Sequence, residues 1–117
     1  MKNDLSKVKT GMVKMSIFYP NGADTTFDFD YYANKHLANF AEVLGDDLMG
    51  MEIEKAIGSA NPDELPQFVA VGTIYCKNMA VISKAMEKVG AHLNQDIPNY
   101  TNVMPQIMFS EVVDLKS

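Results

Sequence analysis

The sequence predicts an α+β sandwich of ferredoxin-like type: a four-stranded antiparallel sheet with two helices on one face. Three observations carry that reading. Stretches at 12–19 and 49–57 read as strands in which apolar and polar side chains alternate, 67–76 is apolar on both faces, and 105–112 closes the domain as a last strand. Two others, 27–45 and 79–93, instead repeat apolar residues at helical spacing. The resulting order, β-α-β-β-α-β, is the split βαβ pattern, and both helices are long enough for right-handed crossovers.

The first strand sets Val13, Met15, Ile17 and Tyr19 on one side and Lys14, Ser16 and Phe18 on the other. Pro20-Asn21-Gly22 ends it, because proline fixes one dihedral and glycine tolerates the next. In the first helix Phe29, Tyr32, Ala33, Leu37, Phe40, Ala41 and Leu44 form one apolar stripe, with His36 inside it. Asp30, Asn34, Lys35, Asn39 and Glu42 fall on the wet side. Asp28 is the expected N-cap and Gly45 the expected terminator.

The second strand turns Met49, Met51 and Ile53 inward and Glu52 and Glu54 outward. A loop rich in Gly, Ser, Asn and Pro follows over 58–66. The third strand, 67–76, reads as central, and Gly72 in its middle predicts a close approach of some group to that backbone. Asn78 caps a second helix whose buried stripe is Ile82, Ala85, Met86 and Val89. Gly90 weakens its last turns, and 96–102, with Pro98, is expected as a loop. The domain therefore spans 12–113, with 1–11 expected as a flexible arm and 114–117 as a tail. Two helices cover only one face of such a sheet, while the third strand carries apolar groups on the other. A homodimer that buries the open face is expected.

With 117 residues, a net charge of -5 and a pI near 4.8, the chain has the size of one domain and the wrong sign for nucleic acid or an anionic membrane. Its lysines are scattered and form no basic stripe. The single cysteine, Cys76, cannot close an internal disulfide, which fits a cytoplasmic setting. The polar stretch 1–10 has no apolar run, so neither a signal peptide nor a membrane span is expected there. No glycine-rich phosphate loop is present, and His36 and His92 lie on different elements without a carboxylate at ligand spacing. No metal or cofactor is expected.

His36 is the main candidate for chemistry. A histidine on an apolar stripe can simply be a packed ring bonded to a carbonyl or a tyrosine. Burial among polar and aromatic groups such as Tyr32 would instead favour the neutral imidazole, a base near neutral pH. Asp96 is the candidate partner, as a carboxylate that would orient the ring. Tyr100 would stack on a planar ligand or plug the sheet edge, and Asn99 and Asn102 read as turn residues. Tyr19 and Tyr32 are candidate pocket walls, whereas Tyr31 reads as an amphipathic ring at the core boundary. Ser16 would line whichever face His36 overlooks.

Three segments resemble the EthD family: Val-Lys-Met-Ser-Ile-Phe-Tyr-Pro-Asn-Gly at 13–22, Phe-Asp-x-Asp-Tyr-Tyr-x-Asn-x-His at 27–36 and Asp-Ile-Pro-Asn-Tyr-Thr at 96–101. That family is named from an ether-degradation operon and belongs to the dimeric α+β barrel superfamily. The resemblance implies a ferredoxin-like protomer whose sheet packs on that of a second copy, with ligands held between helices and sheet. Relatives in the superfamily include cofactor-free monooxygenases, muconolactone isomerases, polyketide cyclases and haem-degrading enzymes. EthD proteins themselves mostly lack an assigned reaction, so ether degradation is not implied. Three functions follow as alternatives. The chain is a cofactor-independent oxygenase, isomerase or dehydratase for a small aromatic or lactone ligand, with His36 and Asp96 catalytic and Ser16, Tyr19, Tyr32 and Tyr100 binding. Otherwise it is a non-catalytic carrier of such a ligand or of haem, serving another oxidoreductase, or a dimeric scaffold without a pocket.

Overall fold

In the computed structural model, which describes residues 5–116, four strands form one antiparallel sheet in the order β2-β3-β1-β4. They are β1 (Val13–Pro20), β2 (Leu48–Lys55), β3 (Phe68–Cys76) and β4 (Gln106–Glu111). Both helices lie against one face, so the α+β sandwich expected from the alternating patterns is the architecture found. Strand β1 is central: Ile17 sits opposite Gly72 of β3 and Ile107 of β4. The side chains of Met15, Ile17 and Tyr19 thus enter the layer beneath the helices, where they meet Leu37, Phe40, Ile74 and Ile82 in the main core.

The first helix departs from the regular one expected. It begins as α1 (Phe29–Tyr31), opens into a π-helical turn over Tyr32–His36, and continues as α2 (Leu37–Leu44). Asp28 caps its start, accepting from the Tyr31 amide at 3.0 Å. At the wide turn the Leu37 amide reaches back to the Tyr32 carbonyl, five residues earlier. Periodicity does not reveal this insertion, because one extra residue in a turn leaves the stripe continuous on either side. Gly45 ends α2 with φ of +55°, a backbone that side-chain-bearing residues rarely adopt.

Helix α3 (Met79–Asp96) is capped by Asn78, whose side chain accepts from the Val81 amide at 3.1 Å. It runs past the expected end at Leu93, so Asp96 closes a helix and does not lie in a loop. The cause is apolar anchoring: Leu93 and Ile97, one turn apart, are both buried. Pro98 then falls in a short 3₁₀ turn, Ile97–Asn99. The stretch expected as an N-terminal arm packs on the domain from Leu5 onward. Val8 is buried, and with Leu5 it occupies the space that a side chain at Gly50 would fill. Among the described residues no helix is long and apolar enough to cross a membrane.

Candidate functional site

Where the π turn, the end of α3 and β1 converge, the structure builds a hydrogen-bonded chain of four side chains. His36 Nδ1 lies 2.9 Å from Asp96 Oδ2, His36 Nε2 lies 3.2 Å from the Tyr100 hydroxyl, and that hydroxyl lies 2.7 Å from the Tyr19 hydroxyl. Each position has a local reason. The wide turn stacks Tyr32 on the His36 ring, with centroids 5.5 Å apart and planes 18° from parallel. The extension of α3 brings Asp96 to the ring. Tyr100 is held by its loop: the Asp28 amide donates to the Tyr100 carbonyl, the Thr26 amide to Asn102 Oδ1, and the Asn102 amide group to the Asp24 carbonyl.

Charge decides where the hydrogens lie. Burial pushes the Asp96 carboxyl up, but hydrogen bonds from Tyr31 at 2.6 Å, Asn99 at 2.9 Å and His36 outweigh it and bring the group to about 2. The carboxylate can therefore only accept, so His36 donates from Nδ1. Burial pulls the His36 pKa below its usual value and overrides the pull of Asp96, which leaves the ring neutral near pH 7 with an acceptor at Nε2. Tyr100 donates to that nitrogen. Its only hydrogen is then committed, so the contact with Tyr19 is made by the hydrogen of Tyr19. Burial raises the pKa of both phenols, and they stay protonated.

Beside this chain lies a cavity of about 150 Å³ between sheet and helices. Met15, Ile17, Leu37 and Phe40 make much of its apolar wall; Met86, Gly90 and Leu93 of α3 close the far side. Tyr19, His36 and Asn94 are the residues with polar side chains in its lining, and Pro105 and Ile107 bound it at the β4 edge. Among the described residues no three of His, Cys, Asp and Glu gather as metal ligands. Cys76 is buried, its thiol pushed up to about 11 by desolvation, so it is a poor nucleophile.

The residues singled out from sequence separate into those brought together and those not. His36 and Asp96 meet. Tyr19 and Tyr100 join them, Tyr19 in the cavity wall and Tyr100 behind it. Tyr32 is fully buried with its hydroxyl over Gly72, where any Cβ would overlap it; this is the close approach that the glycine foretold. That hydroxyl has no hydrogen-bond partner among the described residues. Ser16 is buried on the other face of the sheet, because the alternation that turns Met15 and Ile17 toward the cavity turns Ser16 away from it. Tyr31, read as a boundary ring, is a ligand of the Asp96 carboxylate. Asn99 shares that carboxylate, and Asn102 clamps the loop of Tyr100 to the segment before α1. Only the folded arrangement, in which the end of α3 and the loop after it meet the first helix and the segment before it, reveals these roles.

A helix-backed antiparallel sheet with a histidine–aspartate pair beside a cavity defines a small α+β protein of ferredoxin-like type. No family model and no curated protein matches the chain, but solved structures do. An EthD-like protein from Ralstonia eutropha JMP134 is 31% identical, with a TM-score of 0.84 over 93% of this chain and 98% of that one. The chain belongs to this EthD-like family. An ethyl tert-butyl ether (EthD) family protein from Bacillus halodurans C-125 shares the fold at 23% identity, with a TM-score of 0.62 over 86% of this chain and 97% of its own. So does a monooxygenase-like protein from Shewanella loihica PV-4, at 9% identity and a TM-score of 0.57, over 92% of this chain and 100% of its own.

Proposed function

We propose that this protein is a cofactor-independent acid–base enzyme that binds a small, largely apolar ring compound between sheet and helices. His36 takes and returns the proton, and Asp96 holds the imidazole in the tautomer that leaves Nε2 basic. The observation that carries the reading is the buried His36 in a cavity wall with its Nδ1 2.9 Å from the Asp96 carboxylate, and desolvation favours its neutral form. Proton transfer is the step that isomerisation, dehydration and the formation of an oxygen-reactive carbanion have in common. The volume of about 150 Å³ favours a single ring, since a cavity of that size in a protein core accepts benzene. Haem is far larger, and both nitrogens of His36 are already engaged, so a carrier of haem is the weaker reading.

The same proposal includes a homodimer. The edge strand β4 leaves Ile107, Met108 and Phe109 about half exposed in succession, a run that a second copy would cover. A cytoplasmic setting fits the single cysteine.

A thermal-shift screen of wild type and His36→Gln against one-ring and two-ring ketones, phenols and lactones tests the reading. A ligand present at about 100 times its dissociation constant stabilises by roughly 2.7 kcal/mol. The expected hit is a one-ring compound that wild type converts and His36→Gln binds without converting. Full turnover by His36→Gln would remove the histidine from the chemistry. Binding without turnover by either protein would leave a carrier.

A further inference from the structure

We propose that Tyr19, not the imidazole itself, exchanges the proton with the bound molecule, that Tyr100 passes it to His36, and that the molecule is a monocyclic carbonyl compound with an acidic C–H. This deepens the acid–base reading and rests on it. The geometry leaves no other entry. Both His36 nitrogens are engaged, Nδ1 with Asp96 at 2.9 Å and Nε2 with Tyr100 at 3.2 Å, so only the carbon edge of the ring is left for the cavity. Tyr100 and Asp96 are not among the cavity walls, whereas Tyr19 is. With the Tyr100 hydrogen given to Nε2, the Tyr19 hydrogen points to Tyr100 at 2.7 Å, and a lone pair of the Tyr19 oxygen is left to accept.

The step balances without a co-reactant. The substrate C–H bond breaks, and its electron pair stays on the substrate as an enolate. The proton goes to the Tyr19 oxygen while the Tyr19 hydrogen moves to Tyr100 and the Tyr100 hydrogen to Nε2. Both phenols end as they began, and the imidazolium faces the Asp96 carboxylate. Return along the same path restores the proton to the same carbon or to a conjugated one. Burial keeps both phenols from ionising, which suits them to relay a proton and not to hold a charge. Asn94, in the cavity wall, can donate to the developing enolate oxygen.

The test is hydrogen–deuterium exchange at the α carbons of cyclohexanone in D₂O, followed by NMR, with ketone binding read independently from the methyl resonances of Met15 and Met86. Wild type is expected to accelerate exchange. Tyr19→Phe is expected to bind the ketone and to lose roughly 100-fold in rate, the ordinary worth of a placed proton-transfer group. Tyr100→Phe cuts the same path one link further in, and keeps the test open should Tyr19→Phe not fold. Wild-type exchange by Tyr19→Phe together with lost exchange by His36→Gln would overturn the relay and leave the acid–base reading standing. Undiminished exchange by His36→Gln would overturn both. Ketone bound by wild type without exchange would overturn the proposed C–H chemistry, and equal exchange of 1-tetralone would overturn the one-ring limit.

Discussion

At His36 two effects of opposite sign meet, and their order fixes how the protein responds to acid. Burial disfavours the imidazolium more than Asp96 favours it, so the folded pKa lies below the unfolded value near 6.5. The unfolded chain therefore binds this proton more readily. Stability from this group is complete above about pH 6.5 and falls as pH drops from there to the folded pKa. Asp96 adds a second loss: its folded value of about 2 lies below the unfolded 3.8, so its contribution disappears as pH falls between those two. Melting temperatures across pH 4 to 8 should decline on the acid side in wild type and decline less just below about pH 6.5 in His36→Gln. Parallel curves would mean that the histidine is not held neutral. Asp96→Asn gives a sharper reading of the same pair. An amide facing Nδ1 can donate, so the ring should move its hydrogen to Nε2, visible in imidazole ¹⁵N shifts. An unchanged tautomer would show that Asp96 does not set it. His36 and Asp96 were legible as candidates because a histidine inside an apolar stripe is chemically conspicuous. Tyr31 was not, since its role depends on Asp96 lying on a helix that outlasts its expected end.

At the scale of elements, the strands and the two helices could be read from periodicity and caps, but the π turn could not. Its consequence was nonetheless visible as Gly72, which has no side chain because the Tyr32 hydroxyl occupies that place. Gly72→Ala should overpack the sheet–helix layer and cost about 1–3 kcal/mol in denaturant unfolding. The Tyr32 hydroxyl is buried without a partner among the described residues, so Tyr32→Phe alone should be nearly neutral or stabilising. Combined with Gly72→Ala it should recover part of the loss, since the two sites touch. Additive costs in the double variant would mean that the two do not compete for one space. Gly90 behaves differently. A Cβ there meets only the Met86 methyl at 3.6 Å, an ordinary contact. Gly90→Ala should therefore stabilise α3 by about 0.5–1 kcal/mol while narrowing the cavity it lines, so melting temperature rises as ring-ligand affinity falls. Stabilisation with unchanged affinity would place the ligand elsewhere.

At the scale of the whole molecule, the helix layer stops short of β4, and this is where the fold is incomplete. Ile107, Met108 and Phe109 are 46%, 50% and 45% exposed on an edge strand, where folded proteins usually place charge or a cover. Ile107 also bounds the cavity, so the uncovered strand and the open side of the ligand space coincide. Met108 lies opposite Ser16 on the face turned away from the helices. Ser16 itself is already buried within the single chain, so Met108 is the residue of this pair that a second sheet would meet. If a second copy covers this face, the wild-type melting temperature should rise with protein concentration, because association draws on the folded state alone. Met108→Glu places a charge in the contact and should abolish that dependence while leaving the His36–Asp96 pair intact. Sedimentation then distinguishes the outcomes. Wild type at twice 13.0 kDa and the variant at 13.0 kDa would establish the sheet face as the interface. Two dimers would move the interface off this face, and two monomers would leave the apolar edge for a different partner.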